Sequence, residues 1–342
     1  MIADALAEAL HAAGPARPHA EHLELFGQFV GSWDIDWTGL DAEGKARTAA
    51  GELHVGWVLG GRAVQDVWVV PGRGEPEEGG PPLAFHGSTV RFYDASIGAW
   101  RSTWIDPVNN RVRRFVGRPV DGDVLLLSDE EEPRLRWRFS DITAVSFTWR
   151  GEISRDRGTS WIVDEEMQLV RRGAAVDGLA KALHVAGPAG PHAGKLRLFG
   201  RFAGSWDTAW SGLDADGRVV TARGEAHFGW VLGGRAVQDL WILPRRGDAE
   251  PRVAFHGSWI RFFDAAIDAW RSTWIDPVNG DVRRFVVRAE GDEILMLSDE
   301  EQPQLRWRFT DIAPDAFTFR AERSADAGAI WTLDEEMRVT RR

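Results

Sequence analysis

The residues best suited to chemistry occur twice in this chain. His86 and His256 each sit in a Phe-His-Gly triplet, and histidine alone titrates near neutrality without being perturbed. Asp66 and Asp239 each follow a Gly-Gly turn and an arginine, Arg62 and Arg235, within the repeated run GWVLGGRAVQD. By strand parity Arg62, Asp66 and Trp68 share one face. An inward aspartate can move a proton, and an inward guanidinium offers a planar fork to a carbonyl or carboxylate. The alternative role for Arg62 and Asp66 is a structural pair tying neighbouring strands, and for His86 a structural side chain that is either half-exposed or hydrogen-bonded. His54 and His227 alternate with Trp57 and Trp230 and are expected to face the other way.

Around these groups runs a stripe of indoles: Trp33, Trp57, Trp68, Trp104, Trp137 and Trp161, and again Trp206, Trp230, Trp241, Trp274, Trp307 and Trp331. The chain holds 18 Trp and a single Tyr. Indoles lining a hollow suit apolar, aromatic or cationic guests through stacking and cation–π attraction; the same rings would also serve as plain barrel core. Arg114 and Arg284 share parity with flanking valines and are expected inside, whereas Arg101, Arg113, Arg136 and Arg138 read as a solvated outer face. Glu165 falls in phase with Trp161 and Glu166 opposite to it, so that one of them is a candidate for burial beside an arginine. Asp106 and Asp276 open Asp-Pro-Val-Asn, a turn sequence.

Other chemistries are excluded. There is no cysteine, hence no disulfide, thiolate ligand or thiol nucleophile. No His/Asp/Glu set has metal-ligand spacing, no glycine loop opens a helix for phosphate, and no Gly-x-Ser-x-Gly elbow occurs. With 41 Lys+Arg against 52 Asp+Glu the net charge is -11, which repels a phosphate backbone. No apolar run reaches the ~20 residues of a membrane span, and the first residues lack a basic, apolar leader. A cytoplasmic protein with neither nucleic-acid nor membrane partners is expected.

The elements that must position these residues come from an internal duplication. Gly31–Asp34 recurs at Gly204–Asp207, Ala99–Asn109 at Ala269–Asn279 and Asp164–Met167 at Asp334–Met337. The period, about 170 residues, is that of a whole domain rather than a solenoid repeat. Two domains follow, 1–172 and 173–342. Each opens with short Ala/Leu-rich helices and then switches to period-two alternation in short segments separated by Gly, Asn, Asp and Pro. About ten strands per unit and no long crossover predict an all-β fold: two tandem antiparallel up-and-down β-barrels with short N-terminal helices.

A helix running into Gly-Ser-Trp33 on the first strand resembles the opening of the calycin superfamily, the lipocalins and fatty-acid-binding proteins, in which that Trp closes one end of the barrel. The succession Trp57–Arg62, Phe85–Gly87, Phe92–Asp94 and Trp104–Asp106, repeated at Trp230–Arg235, Phe255–Gly257, Phe262–Asp264 and Trp274–Asp276, resembles the DUF1579-like branch. The resemblance implies a ligand-holding barrel without fixing its ligand. Nitrobindin-like barrels, a related group, bind haem through a late His; neither unit has a His after His86 or His256, so haem is a distant alternative.

The expected function is small-molecule binding in a Trp-lined cavity by a cofactor-independent enzyme of the isomerase, cyclase or dehydratase type. In it His86 or Asp66 moves a proton while Arg62 or Arg114 steadies charge. A non-catalytic carrier or sensor is the alternative, and the two barrels could pack as a pseudo-dimer.

Overall fold

The computed structural model describes residues 5–17, 19–40, 44–72, 84–129, 132–173, 178–213, 216–246, 255–299 and 302–342. Helices α1 (Ala5–Leu10) and α2 (Ala20–Gly27) precede ten strands: β1 (Gly31–Leu40), β2 (Ala46–Val58), β3 (Ala63–Val70), β4 (Phe85–Asp94), β5 (Ala99–Asp106), β6 (Arg111–Val120), β7 (Asp123–Ser128), β8 (Arg134–Ser140), β9 (Ser146–Ser154) and β10 (Ile162–Arg171). Each strand pairs antiparallel with its successor, and β1 also pairs with β10, which closes the barrel. Helices α3 (Gly178–Leu183) and α4 (Ala193–Gly200) and strands β11 (Gly204–Leu213) to β20 (Thr332–Arg341) repeat this order and close in the same way. The all-β, up-and-down expectation holds strand for strand.

Closure removes sheet edges and gives every strand an inside. Side chains alternate across a strand, so register fixes which residues face inward. Trp33 pairs with Leu53, Leu53 with Trp68, Trp68 with Gly87 and Thr89 with Trp104. From there Ser102 pairs with Phe115, Leu126 with Trp137, Phe139 with Trp149 and Trp149 with Met167. These inward residues make one aromatic-rich core per barrel.

The two ends of a barrel differ. At one end α2 lays Phe26 over the opening, with Phe29 beside it, in edge and tilted contact with Trp100, Phe139 and Phe147. Trp33 Nε1 donates to the Phe29 carbonyl at 2.8 Å. The Arg171 guanidinium stacks 4.0 Å from the Trp33 ring and donates to the carbonyls of Val30 and Gln28. Trp206 and Arg341 repeat the plug in the second barrel. Among the described residues no helix covers the other end, and the cavity lies there.

The compact units do not follow the sequence repeats throughout. One is His11–Leu183; the other is His184–Arg342 together with α1. Thus α1 packs on β11, β12 and β13, and α3 packs on β1, β2 and β3. Leu6 seats against Gly229, and Leu179 against Gly56. That cover helps explain why β3 is buried along its whole length on both faces.

Candidate functional site

At the end of the first barrel opposite α2 lies a cavity of about 280 Å³. Its wall is built from Trp37, Trp68, Trp104, Trp137 and Trp149 with Phe85 and Met167. Neighbouring indoles meet mostly at steep angles: Trp104 and Trp137 at 5.9 Å and 79°, Trp137 and Trp149 at 5.4 Å and 65°. Tilted rings interlock without filling the space, leaving a hollow rather than a solid core.

Two glycines make the wall possible. A Cβ on Gly87 would lie 2.4 Å from the Trp104 ring, and one on Gly39 2.3 Å from the Trp37 ring. Both indoles therefore sit close against bare backbone. The Phe-His-Gly triplet thus supplies a ring (Phe85) and a seat (Gly87) to the cavity.

The polar groups in the lining are Asp106, Asn109, Arg111, Arg113, Asp164 and Glu165. Trp37 Nε1 donates to Glu165 at 2.9 Å. Glu165 is half-buried as a residue, but burial of its carboxyl end raises its pKa; the Trp37 hydrogen bond opposes this, Asp164 adds to it, and Arg113 and Arg111 oppose it. Asp106 is also raised by burial, against hydrogen bonds from Asn109 and the Val108 backbone that hold the turn. A buried carboxyl beside an indole is the arrangement that keeps an acid protonated above its ordinary range.

The second barrel repeats the site at about 160 Å³, lined by Trp241, Trp274, Trp307, Phe319, Phe255 and Met337 with Trp259 added. Glu335 accepts from Trp210 Nε1 at 2.5 Å, and burial raises it as it does Glu165.

The expected site residues are distributed unevenly. Trp68, Trp104 and Trp137, and Trp241, Trp274 and Trp307, line the cavities. Trp33 and Trp206 plug the closed ends, and Trp57 and Trp230 pack beneath the bare Cα of Gly27 and Gly200 in the capping helices. Trp161 and Trp331 stay outside the barrel, their rings 4.3 and 4.2 Å from the guanidiniums of Arg136 and Arg306. The reason is a register shift between Val163 and Glu165, repeated at Ala321/Glu322, which puts Trp161 out of phase with Glu165.

Asp66 does not pair with Arg62. Its carboxylate accepts from Trp68 Nε1 at 2.8 Å and from the Thr89 backbone, and forms a buried ion pair with Arg91. Asp239 does the same with Trp241 and Arg261. Asp66 therefore fixes the Trp68 indole, which separates the cavity from a void of about 10 Å³ beside Arg91. Arg62 is exposed and Arg235 half-buried, each just past the Gly-Gly turn.

His86 is buried on the face of the sheet away from the cavity, paired with Val69 and opposite in parity to Phe85 and Gly87, and His256, half-buried, pairs likewise with Ile242. Neither is among the residues lining the cavities. Arg114 and Arg284 face outward, 3.6 and 3.7 Å from Asp129 and Asp299. The inward arginines of that strand are Arg113 and Arg283. Parity with Phe115 identifies Arg113; counting from the valines did not. Trp37, Trp149 and Asp106 line the site as well, signalled by nothing in the strand count, and of the pair Glu165/Glu166 it is Glu165 that is buried in the lining while Glu166 accepts from Arg150.

Among the described residues no group of three or more His, Asp or Glu is placed to hold a metal ion, and no helix is long and apolar enough to cross a membrane.

Fold and site together define a closed, ten-stranded up-and-down barrel with one plugged end and an aromatic cavity at the other, in tandem. An S-type phycobiliprotein lyase from Guillardia theta is similar to 43% of this chain over 91% of its own length, at 11% identity and a TM-score of 0.31. A protein of unknown function from the DUF3598 family of Nostoc punctiforme is similar to 94% of this chain over 98% of its own, at 10% identity and a TM-score of 0.26. No family model and no curated protein matches the chain, so the DUF1579-like resemblance rests on its motifs alone.

Proposed function

We propose that the protein is a cofactor-independent enzyme that binds a ring-bearing, largely apolar molecule among the indoles of its first barrel and rearranges it by proton transfer. The observation that carries this reading is Glu165: a carboxyl whose pKa burial raises, held by Trp37 and opening on a cavity walled by Trp faces. Glu165 donates its proton to a carbonyl or alkene of the guest. The Trp rings steady the positive charge that develops, by roughly 0.5–2 kcal/mol per good contact. A proton then leaves a neighbouring carbon for the Glu165 carboxylate, so the product has the mass of the substrate. That is isomerase or cyclase chemistry, and neither His86 nor Asp66 takes part.

A carrier is the second reading, favoured by the position of both repeated histidines outside the cavities. To separate the two, a panel of ring-bearing ketones and polyenes is incubated with the full chain. Trp emission follows binding, and chromatography follows conversion at constant mass. The enzyme reading expects quenching and conversion, with Glu165→Gln keeping the quench and losing about 10²–10⁴-fold in rate. Quenching without conversion decides for the carrier, and no quenching by any member removes both.

A further inference from the structure

Four strands of the second barrel each bring one indole to its cavity of about 160 Å³: Trp241 from β13 (Ala236–Leu243), Trp259 from β14 (Phe255–Asp264), Trp274 from β15 (Ala269–Asp276) and Trp307 from β18 (Gln304–Thr310). Trp259 meets Trp274 at 5.2 Å and 44°, and Trp307 at 5.4 Å and 80°. Neither pair stacks face to face, so indole faces remain for a guest. The face of an aromatic ring is its negative side, and Trp offers a cation the best of such surfaces. Arg283, in the same lining, already lies 5.9 Å over the Trp307 ring. The charges of the lining have the sign that a cation needs. Its ionisable groups are Asp276, Asp281, Arg283 and Glu335, three carboxyls to one guanidinium. Asp281 engages Arg283 at 3.1 Å. Asp276 is held instead by Asn279 Nδ2 at 2.6 Å and the Val278 N–H at 3.0 Å, and Glu335 by Trp210 Nε1. Those donors are neutral, and among the described residues neither carboxyl has an ion-pair partner. Burial raises the pKa of both; repulsion from Asp281 adds to this at Asp276, and Arg283 offsets it only in part at Glu335.

We infer that the cavity of the second barrel is a site for a small organic cation of the trimethylammonium type, with its head among the four indoles and its charge answered by Asp276 and Glu335. A hollow of about 150 Å³ holds a molecule the size of benzene, and a trimethylammonium head is of that order. A quaternary nitrogen has no N–H to satisfy, which suits walls made of rings and of carboxyls that already accept hydrogen bonds. Its positive charge is spread over methyl groups, which lose little by leaving water for an aromatic wall. Trp259 completes the cage, since the equivalent position of the first barrel is Thr89. The inference concerns the second barrel alone and stands apart from the proton-transfer reading of the first.

The test is calorimetric titration of the full chain at pH 8 with choline and with 3,3-dimethylbutan-1-ol, which has the same shape with carbon in place of the charged nitrogen. The expected result is one choline site per chain, with affinity about tenfold or more above that for the alcohol, the ratio that about 1.4 kcal/mol gives. Glu335→Gln keeps an acceptor for the Trp210 N–H and removes the charge. It is expected to cut the choline affinity by about the same factor and to leave that of the alcohol unchanged. Trp259→Leu keeps an apolar side chain and removes a ring face, and is expected to lower the preference for choline; Glu335→Gln decides alone should this variant fail to fold. No binding of choline, equal binding of the two compounds, or a preference unchanged in the variants overturns the inference. A preference lost in Glu165→Gln instead places the cation in the first barrel and overturns it as well. The proton-transfer reading of the first barrel has its own test in conversion at constant mass, so the two fail separately.

Discussion

At the scale of single residues, Glu165 ties the proposed function to stability. Its carboxyl sits above the ordinary value of 4.5 because burial disfavours the charge. The folded state therefore holds this proton more tightly than the unfolded state does. The stabilisation is complete below the ordinary value and is lost as pH rises through the raised one; Glu335 behaves in the same sense. Glu165→Gln keeps an oxygen to accept the Trp37 N–H and removes the titration. It is expected to raise Tm at pH 8 by about 2–4 °C, the shift that about 1 kcal/mol gives in a domain of this size, and to change it little at pH 4. Thermal melts at the two pH values check this, and a variant equally affected at both would show that the carboxyl is not perturbed. Gaining stability while losing turnover is the expected mark of a residue kept for chemistry.

At the scale of elements, the cavity depends on the contact between β4 and β5. Gly87 leaves room for the Trp104 ring, and the backbone carbonyl of Ile105 lies 2.8 Å from where a Cβ would stand. The obstacle is thus partly backbone, which cannot swing aside as a side chain can. Gly87→Ala is expected to destabilise the first barrel by about 1–3 kcal/mol through overpacking and to push the indole into the cavity, weakening ligand-induced quenching. Denaturant melts and Trp emission read the two effects. The replacement Thr89→Trp with Trp149→Phe installs the residues that stand at these positions in the second barrel, Trp259 and Phe319, and is expected to keep the fold while shrinking the cavity.

At the scale of the whole molecule, the exchange of first helices means that a residue near the N-terminus supports the second barrel. Leu6 is buried, packs on Gly229 and belongs to the unit containing β11–β20. Leu6→Ala is expected to cost about 2–3 kcal/mol, and hydrogen exchange is expected to quicken in β11–β13 while β1–β10 stay protected. Faster exchange confined to the first barrel would contradict the assignment of α1.

The sequence alone determined the duplication, the strand count and the aromatic interior, because period-two alternation and repeated turns are local properties of the chain. It also pointed to Trp68, Trp104 and Trp137, whose parity is unbroken. Tertiary structure decided the rest. Counting along a strand cannot detect the shift at Val163/Glu165, so it places Trp161 inside and in phase with Glu165; burial of Glu165 is legible that way, but its hydrogen-bond partner, the Trp37 indole, is not. Counting also cannot show which neighbour an aspartate will meet: Asp66 is paired across the sheet with Arg91, while Arg62, four residues away, stays in solvent. The hollow itself arises only when ten strands close, because its size depends on how rings from β1, β3, β5, β8 and β9 tilt against each other, and no single segment carries that information.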